Sequence, residues 1–189
     1  MTADDARVSD ETLIGRIAAG DPSAFDRLVR RHQAAVYRFA RAAAPGDGDA
    51  VEILRETFLA ARRAAARHRD ETSARPWLLA LARQTIDRLC PRSREADLTS
   101  LRELARAAGW RSEGDGALDI PEENGSAVEA AFAALPPEDR EILTLCDREY
   151  FTLDEAARVT GLPDTAVRTR LHRARLRLLA RLREGAHGG

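Results

Sequence analysis

From Arg168 to Arg183 the chain carries seven Arg and no Asp or Glu. A guanidinium is a planar fork that can donate paired hydrogen bonds to a phosphate or to the edge of a guanine. Thr165, Thr169 and His172 stand among these arginines, and short polar side chains let a helix approach base edges closely. At helical spacing Val167, Leu171, Ala174 and Leu178 fall on one side. Thr165, Thr169, His172 and Arg173 fall opposite, with Arg168 and Arg175 on one flank and Arg170 on the other. The chemistry this suits is recognition of nucleic acid. The bland alternative is an amphipathic helix with a solvated Arg face. Two features upstream speak against it. Thr152-Leu153-Asp154-Glu155 fits a capping box, in which Thr and Glu each satisfy an orphan N–H. Thr160-Gly161-Leu162-Pro163 reads as a tight turn, with Gly161 in the left-handed position. A short capped helix, a turn and a longer helix from about Asp164 to Arg183 make a helix-turn-helix, whose second helix enters the major groove.

The elements that must position this helix are themselves helical. The chain is rich in Ala, Leu, Arg and Glu, which lose little freedom in a helix, and shows no convincing period-two alternation. The expected fold is all-α: two small helical domains joined by a flexible linker. In the first, residues 1–90, a short helix spans about Glu11 to Ala19. Asp21-Pro22 then starts a long one with Phe25, Leu28, Val29, His32, Val36, Phe39 and Ala40 on one face. Pro45 to Gly48 breaks the pattern, and Asp49 is expected to cap a helix whose face runs Leu54, Phe58, Ala61 and Ala65. After a polar loop, another helix carries Trp77, Leu78, Leu81, Thr85 and Leu89 and stops at Pro91. Trp77 reads as core rather than as a wedge. Residues 91–125 hold five Arg against eight acids with interspersed Gly and Pro, an acidic linker with at most one short helix and an unplaced Trp110. The second domain, 126–189, opens with Val128, Ala131, Phe132 and Leu135, then Ile142, Leu143 and Cys146.

Several function classes are disfavoured. No phosphate-binding Gly loop, nucleophile elbow or metal-ligand cluster is present, so neither an enzyme nor a cofactor or metal site is expected. Cys90 and Cys146 have no paired spacing and read as apolar fillers in a reducing cytoplasm. No apolar run reaches membrane-spanning length. The formal net charge of −1 excludes a uniformly basic coat. Every basic side chain is Arg, which a GC-rich genome would also produce.

Leu135-Pro136-Pro137-Glu138-Asp139-Arg140-Glu141-Ile142-Leu143, Gly161-Leu162-Pro163 and the run from Val167 to Arg175 resemble region four of the extracytoplasmic-function sigma factors, the small sigma-70 proteins that direct RNA polymerase to promoters. The resemblance implies that this module reads the minus-thirty-five element, with Thr165, Arg168, Thr169, Arg170, His172, Arg173 and Arg175 at the DNA. The family usually has Gly-Thr where this chain has Thr165-Ala166. The run from Asp49 to Leu59 resembles region two's helix for core polymerase, implying contacts from Asp49, Glu52, Arg55, Glu56, Phe58 and Leu59 to the clamp helices of the largest subunit. The family commonly has Gln at Arg55 and an aromatic residue at Arg62. Arg75-Pro76-Trp77 through Arg88 resembles the helix that reads the minus-ten element, implying roles for Arg83, Gln84, Asp87 and Arg88, with the loop from Arg67 to Ala74 capturing a flipped base. Asn is frequent at Gln84. The implied partners are core polymerase (clamp helices and flap), promoter DNA and an anti-sigma factor, and the free protein is expected to be monomeric. Two alternatives stay open on the residues: a free-standing helix-turn-helix regulator, and a sigma-like interaction protein that does not open promoters.

Overall fold

A computed structural model describes residues 8–44, 46–68, 73–91 and 125–186. The expected linker, its short helix, Trp110 and half of the base-capturing loop lie outside the described residues. By its contacts the chain divides into two compact units, Met1–Arg92 with Asp154–Gly161, and Ser93–Leu153 with Leu162–Gly189. Regular structure among the described residues is helical throughout.

In the first unit α1 spans Asp10–Ala18 and α2 Pro22–Ala43. Both starts follow from local chemistry. The Ser9 side chain accepts from the Thr12 N–H at 3.2 Å. The Asp21 carboxylate accepts from Ser23 N–H at 2.8 Å and Ala24 N–H at 3.3 Å, with Pro22 in the first turn, where it has no N–H to orphan. Between them Gly20, at φ +90°, takes a left-handed turn. α3 spans Asp47–Ala64, a single 3₁₀ turn Ala65–Arg67 follows, and α4 spans Ala74–Leu89. Asp49 does not cap α3. The cap is Gly46, in extended conformation, and its carbonyl accepts from Ala50 N–H at 3.2 Å. With the chain free to turn helical at Asp47, Asp49 falls inside the first turn, where its charge complements the helix dipole.

α3 packs on both α2 and α4, and α1 on α2. One cluster joins Leu13, Ile14 and Ile17 of α1 to Ala24, Leu28, Ala65 and Ala74, with Phe25 and Trp77 at its edge. Trp77 is thus partly buried against the core, with its ring centroid 4.5 Å from that of His68. The buried face of α3 is Ala50, Ile53, Thr57, Phe58 and Ala61, while Leu54 is only half-buried. Thr57 can be fully buried because its hydroxyl donates to the Ile53 carbonyl at 2.6 Å.

In the second unit α5 spans Gly125–Ala133 and α6 Pro137–Leu143, which continues into a π-type turn, Thr144–Arg148. α8 spans Asp164–Ala186, while α7, Leu153–Thr160, groups by its contacts with the first unit from Asp154 onward. Both α5 and α6 pack on α8. Arg140 donates at 3.0 Å to the carbonyls of Ala133 and Leu135, satisfying the open C-terminal end of α5. The Arg148 guanidinium lies 4.1 Å from the Phe132 ring centroid, and Ile142 and Leu143 of α6 are buried.

Candidate nucleic-acid interface

The turn into α8 is built by backbone geometry. Gly161 sits at φ +69°, and its N–H donates to the Ala157 carbonyl at 2.8 Å. The Pro163 carbonyl then accepts from Ala166 and Val167 N–H at 2.9 and 3.0 Å, starting the helix. Val167, Leu171, Ala174 and Leu178 are buried, as the wheel requires. Leu176 and Ala180 are buried as well, so the C-terminal half of α8 is covered on more than one face. The dense run Leu176, Leu178, Leu179 was the available signal.

On the opposite side Thr165, Arg168, Thr169 and His172 are exposed, and Arg170 and Arg173 are half-buried. The Thr169 hydroxyl donates to the Thr165 carbonyl at 2.9 Å, which leaves its oxygen able to accept. Arg175 is placed differently. Its Nε and Nη2 donate to the Asp147 carboxylate at 3.2 and 2.7 Å, tying the π-type turn to the flank of α8. Arg177, two residues on, pairs with the buried Asp139 of α6. Burial pushes the Asp139 carboxyl above the usual carboxylate range, against the opposing pull of Arg177.

On α4, Gln84, Asp87 and Arg88 are exposed, while Arg83 is half-buried and paired with Asp87 at 2.5 Å. Arg88 reaches across to Glu56 of α3 at 3.2 Å. On α3, Asp49, Glu52 and Arg55 are exposed and Glu56 and Leu59 half-buried. Phe58 is 5 % exposed and meets Phe25 edge-on with ring centroids 6.5 Å apart, so it contributes to the core and not to the outer face. Arg55 donates to Glu52 at 2.7 and 3.1 Å and lies 2.9 Å from Glu56. The hydrogen bond from Arg55 holds the Glu52 carboxyl below its ordinary range. Two of the acids that resemble partner contacts are therefore already engaged by this chain's own arginines. Val51 on the same helix is 56 % exposed, an aliphatic side chain turned to solvent.

Burial and the neighbouring Asp147 push the Cys146 thiol up to about 11, which keeps it protonated and unreactive. Among the described residues no group of three or more His, Cys, Asp or Glu is arranged to hold a metal ion, and no helix is long and apolar enough to cross a membrane.

Comparison with known proteins agrees with this layout. The family model for sigma-70 region 2 matches residues 28–95 and that for sigma-70 region 4 matches residues 126–178. The ECF RNA polymerase sigma factor SigM of Mycobacterium tuberculosis is 31% identical over 171 residues, covering 90% of this chain and 83% of that protein. The chain belongs to the extracytoplasmic-function sigma factors. It is an initiation factor that directs RNA polymerase to promoters, and not an enzyme. The RNA polymerase sigma factor NccH of Alcaligenes xylosoxydans xylosoxydans is 30% identical over 190 residues, covering 92% of this sigma factor and 94% of that one. The solved structure of CnrH in complex with the cytosolic domain of CnrY superposes with a TM-score of 0.60 at 25% identity, over 89% of this chain and 94% of that one. The sigma factor RpoE of Bartonella quintana, solved with the anti-sigma factor NepR, shares the fold at a TM-score of 0.58 and 19% identity, over 84% and 96% of the two chains.

Proposed function

We propose that this sigma factor reads the minus-thirty-five element with the outer face of α8, the minus-ten element with α4, and core polymerase with α3. The reading of α8 rests on one observation: Thr165, Arg168, Thr169 and His172 are exposed opposite a buried stripe of Val167, Leu171 and Ala174. Arg173 joins them from the edge. Arg175 acts as a strut through Asp147 and orients α8 instead of touching bases. On α4 the exposed Gln84 and Arg88 meet the minus-ten element. On α3 Asp49, Glu52, Arg55 and Glu56, with Leu59 and the exposed Val51, meet the polymerase clamp. Residues 1–90 and 126–189 form the two functional domains, and 91–125 tether them. The protein works in the cytoplasm, is monomeric when free, and is restrained by an anti-sigma factor, as solved relatives are found in complex with one.

Substitution of Arg168 or Arg173 by Ala tests the α8 assignment. Each weakens promoter binding by about 1–3 kcal/mol if the contact is bidentate to a base. The loss depends on the minus-thirty-five sequence. An equal loss on scrambled DNA assigns these side chains to phosphates, and the base-reading role is then withdrawn.

A further inference from the structure

Tyr150 combines two features that its surroundings do not require of it. Its side chain is 84 % exposed, and its backbone is left-handed, at φ +56°. A bulky residue with a Cβ is disfavoured there, and Gly is favoured. The chain explains the angle. Glu149 N–H donates to the Thr144 carbonyl and Phe151 N–H to the Leu145 carbonyl, each at 2.9 Å, and Glu149 and Phe151 are both buried. The backbone between two pinned neighbours has to reverse, and the intervening side chain points out. That accounts for a left-handed residue and gives no reason for a tyrosine.

Its position supplies one. Asp147 is bound to Arg175 on the flank of α8. Three residues of chain span at most about 10 Å, so the Tyr150 backbone lies within about that distance of Asp147, which holds this flank. Arg168 lies seven residues before Arg175, two helical turns or about 10.5 Å along the same flank. We infer that Tyr150 is a promoter contact of this sigma factor, its phenolic hydroxyl donating to a backbone phosphate on the strand that Arg168 approaches. This rests on the proposed docking of α8. Tyrosine hydroxyls are common phosphate donors, and such contacts fix register without reading sequence. A protein partner is the rival outcome, and no contiguous exposed apolar patch of described residues around Tyr150 favours it. Among the described residues the other exposed large apolar side chains, Val51 and Leu89, belong to the first unit.

The test uses holoenzyme formed from core polymerase and full-length chain carrying Tyr150→Gly, Tyr150→Phe or, as control, Arg168→Ala. Promoter affinity is measured on matched and altered minus-thirty-five duplexes, with core affinity and melting temperature of the free chain alongside. Tyr150→Gly is expected to melt no lower than the parent, since it relieves the backbone. Both Tyr150 variants lose about fivefold in DNA affinity, equally on the two duplexes, as one lost hydrogen bond implies. Parent-like binding by Tyr150→Phe overturns the hydroxyl contact. A loss confined to core affinity overturns it in favour of a protein contact. If Arg168→Ala loses matched-site binding while both Tyr150 variants bind as the parent does, this inference alone fails. If Arg168→Ala also has no effect, the docking of α8 fails with it.

Discussion

Arg177→Met should unfasten α8 from α6. In the structure the Arg177 side chain is 13 % exposed and that of its partner Asp139 5 %, so neither charge has much access to water. Removing the cation leaves a buried carboxylate uncompensated, a loss of about 3–5 kcal/mol, against the ~0–1 kcal/mol of an exposed pair. The pH dependence has a definite sign. Burial already raises the Asp139 pKa above its ordinary 3.8, and Arg177 is the main influence pulling it back. In the variant it rises further. A group with a raised folded pKa contributes stability that is present below the unfolded value and is lost as the pH rises through the folded one. The variant should therefore recover part of its loss on acidification from pH 7 towards pH 4, as Asp139 takes up a proton. The double variant Asp139→Leu/Arg177→Met replaces both charges by apolar groups and should recover most of it at pH 7. Hydrogen exchange of peptides from α6 and α8, followed through a urea titration of the full chain, reads this unit separately from the first. If the double variant is destabilised by the sum of the two single substitutions, the pair is not coupled and the reasoning is wrong.

Gly161→Ala should cost about 1–2 kcal/mol of stability, because an added Cβ meets no atom within 4 Å and the penalty at φ +69° is purely backbone; Gly161→Asn should cost less, and urea melts of the two variants check the order. Asp10 pairs with His32 at 2.7 Å and with Arg31 at 2.5 Å. Burial works against its charge, but these hydrogen bonds outweigh it and hold the carboxyl below 3.8. The stability this pair gives is present above that value and lost as the pH falls through the lower folded pKa. Asp10→Asn should loosen α1 at neutral pH as acid does in the parent, seen as faster amide exchange confined to residues 10–18. Arg55→Gln should strengthen binding to core polymerase, since it frees Glu52 for basic partner residues while Glu56 stays paired with Arg88, and the gain should shrink with added salt; unchanged affinity at low salt would place Glu52 outside the interface.

The parts of the fold legible in the sequence are those set by neighbours along the chain. Asp21-Pro22 had to start a helix, Gly161 had to turn left-handed, and Val167, Leu171, Ala174 and Leu178 had to share a buried stripe. What the sequence hid depends on tertiary partners. The buried face of α3 keeps the expected Phe58, Ala61 and Ala65 but takes in Ala50, Ile53 and Thr57 in place of Leu54, and Thr57 passes as core because its hydroxyl donates to the Ile53 carbonyl. Arg175 has the same residue type and nearly the same flank as Arg168, yet it is held by Asp147, 28 positions earlier, and no spacing rule reveals that. Phe58 sits on the apolar face expected of α3, but that it meets Phe25 edge-on is fixed only by the packing of α2 on α3. The left-handed Tyr150 had no signal, since Gly is the residue that marks such a turn.

The central claim is that this chain confers promoter choice on RNA polymerase. The direct measurement is transcription in vitro by core polymerase, with and without the purified chain, on a library in which two hexamer-sized windows at varied spacing are randomised. The account predicts transcripts that require the chain and templates enriched in two motifs at a fixed separation, with Arg168→Ala relaxing the upstream motif only. Transcription no greater than that of core alone, or enrichment of one motif that the chain binds equally well without polymerase, would contradict it.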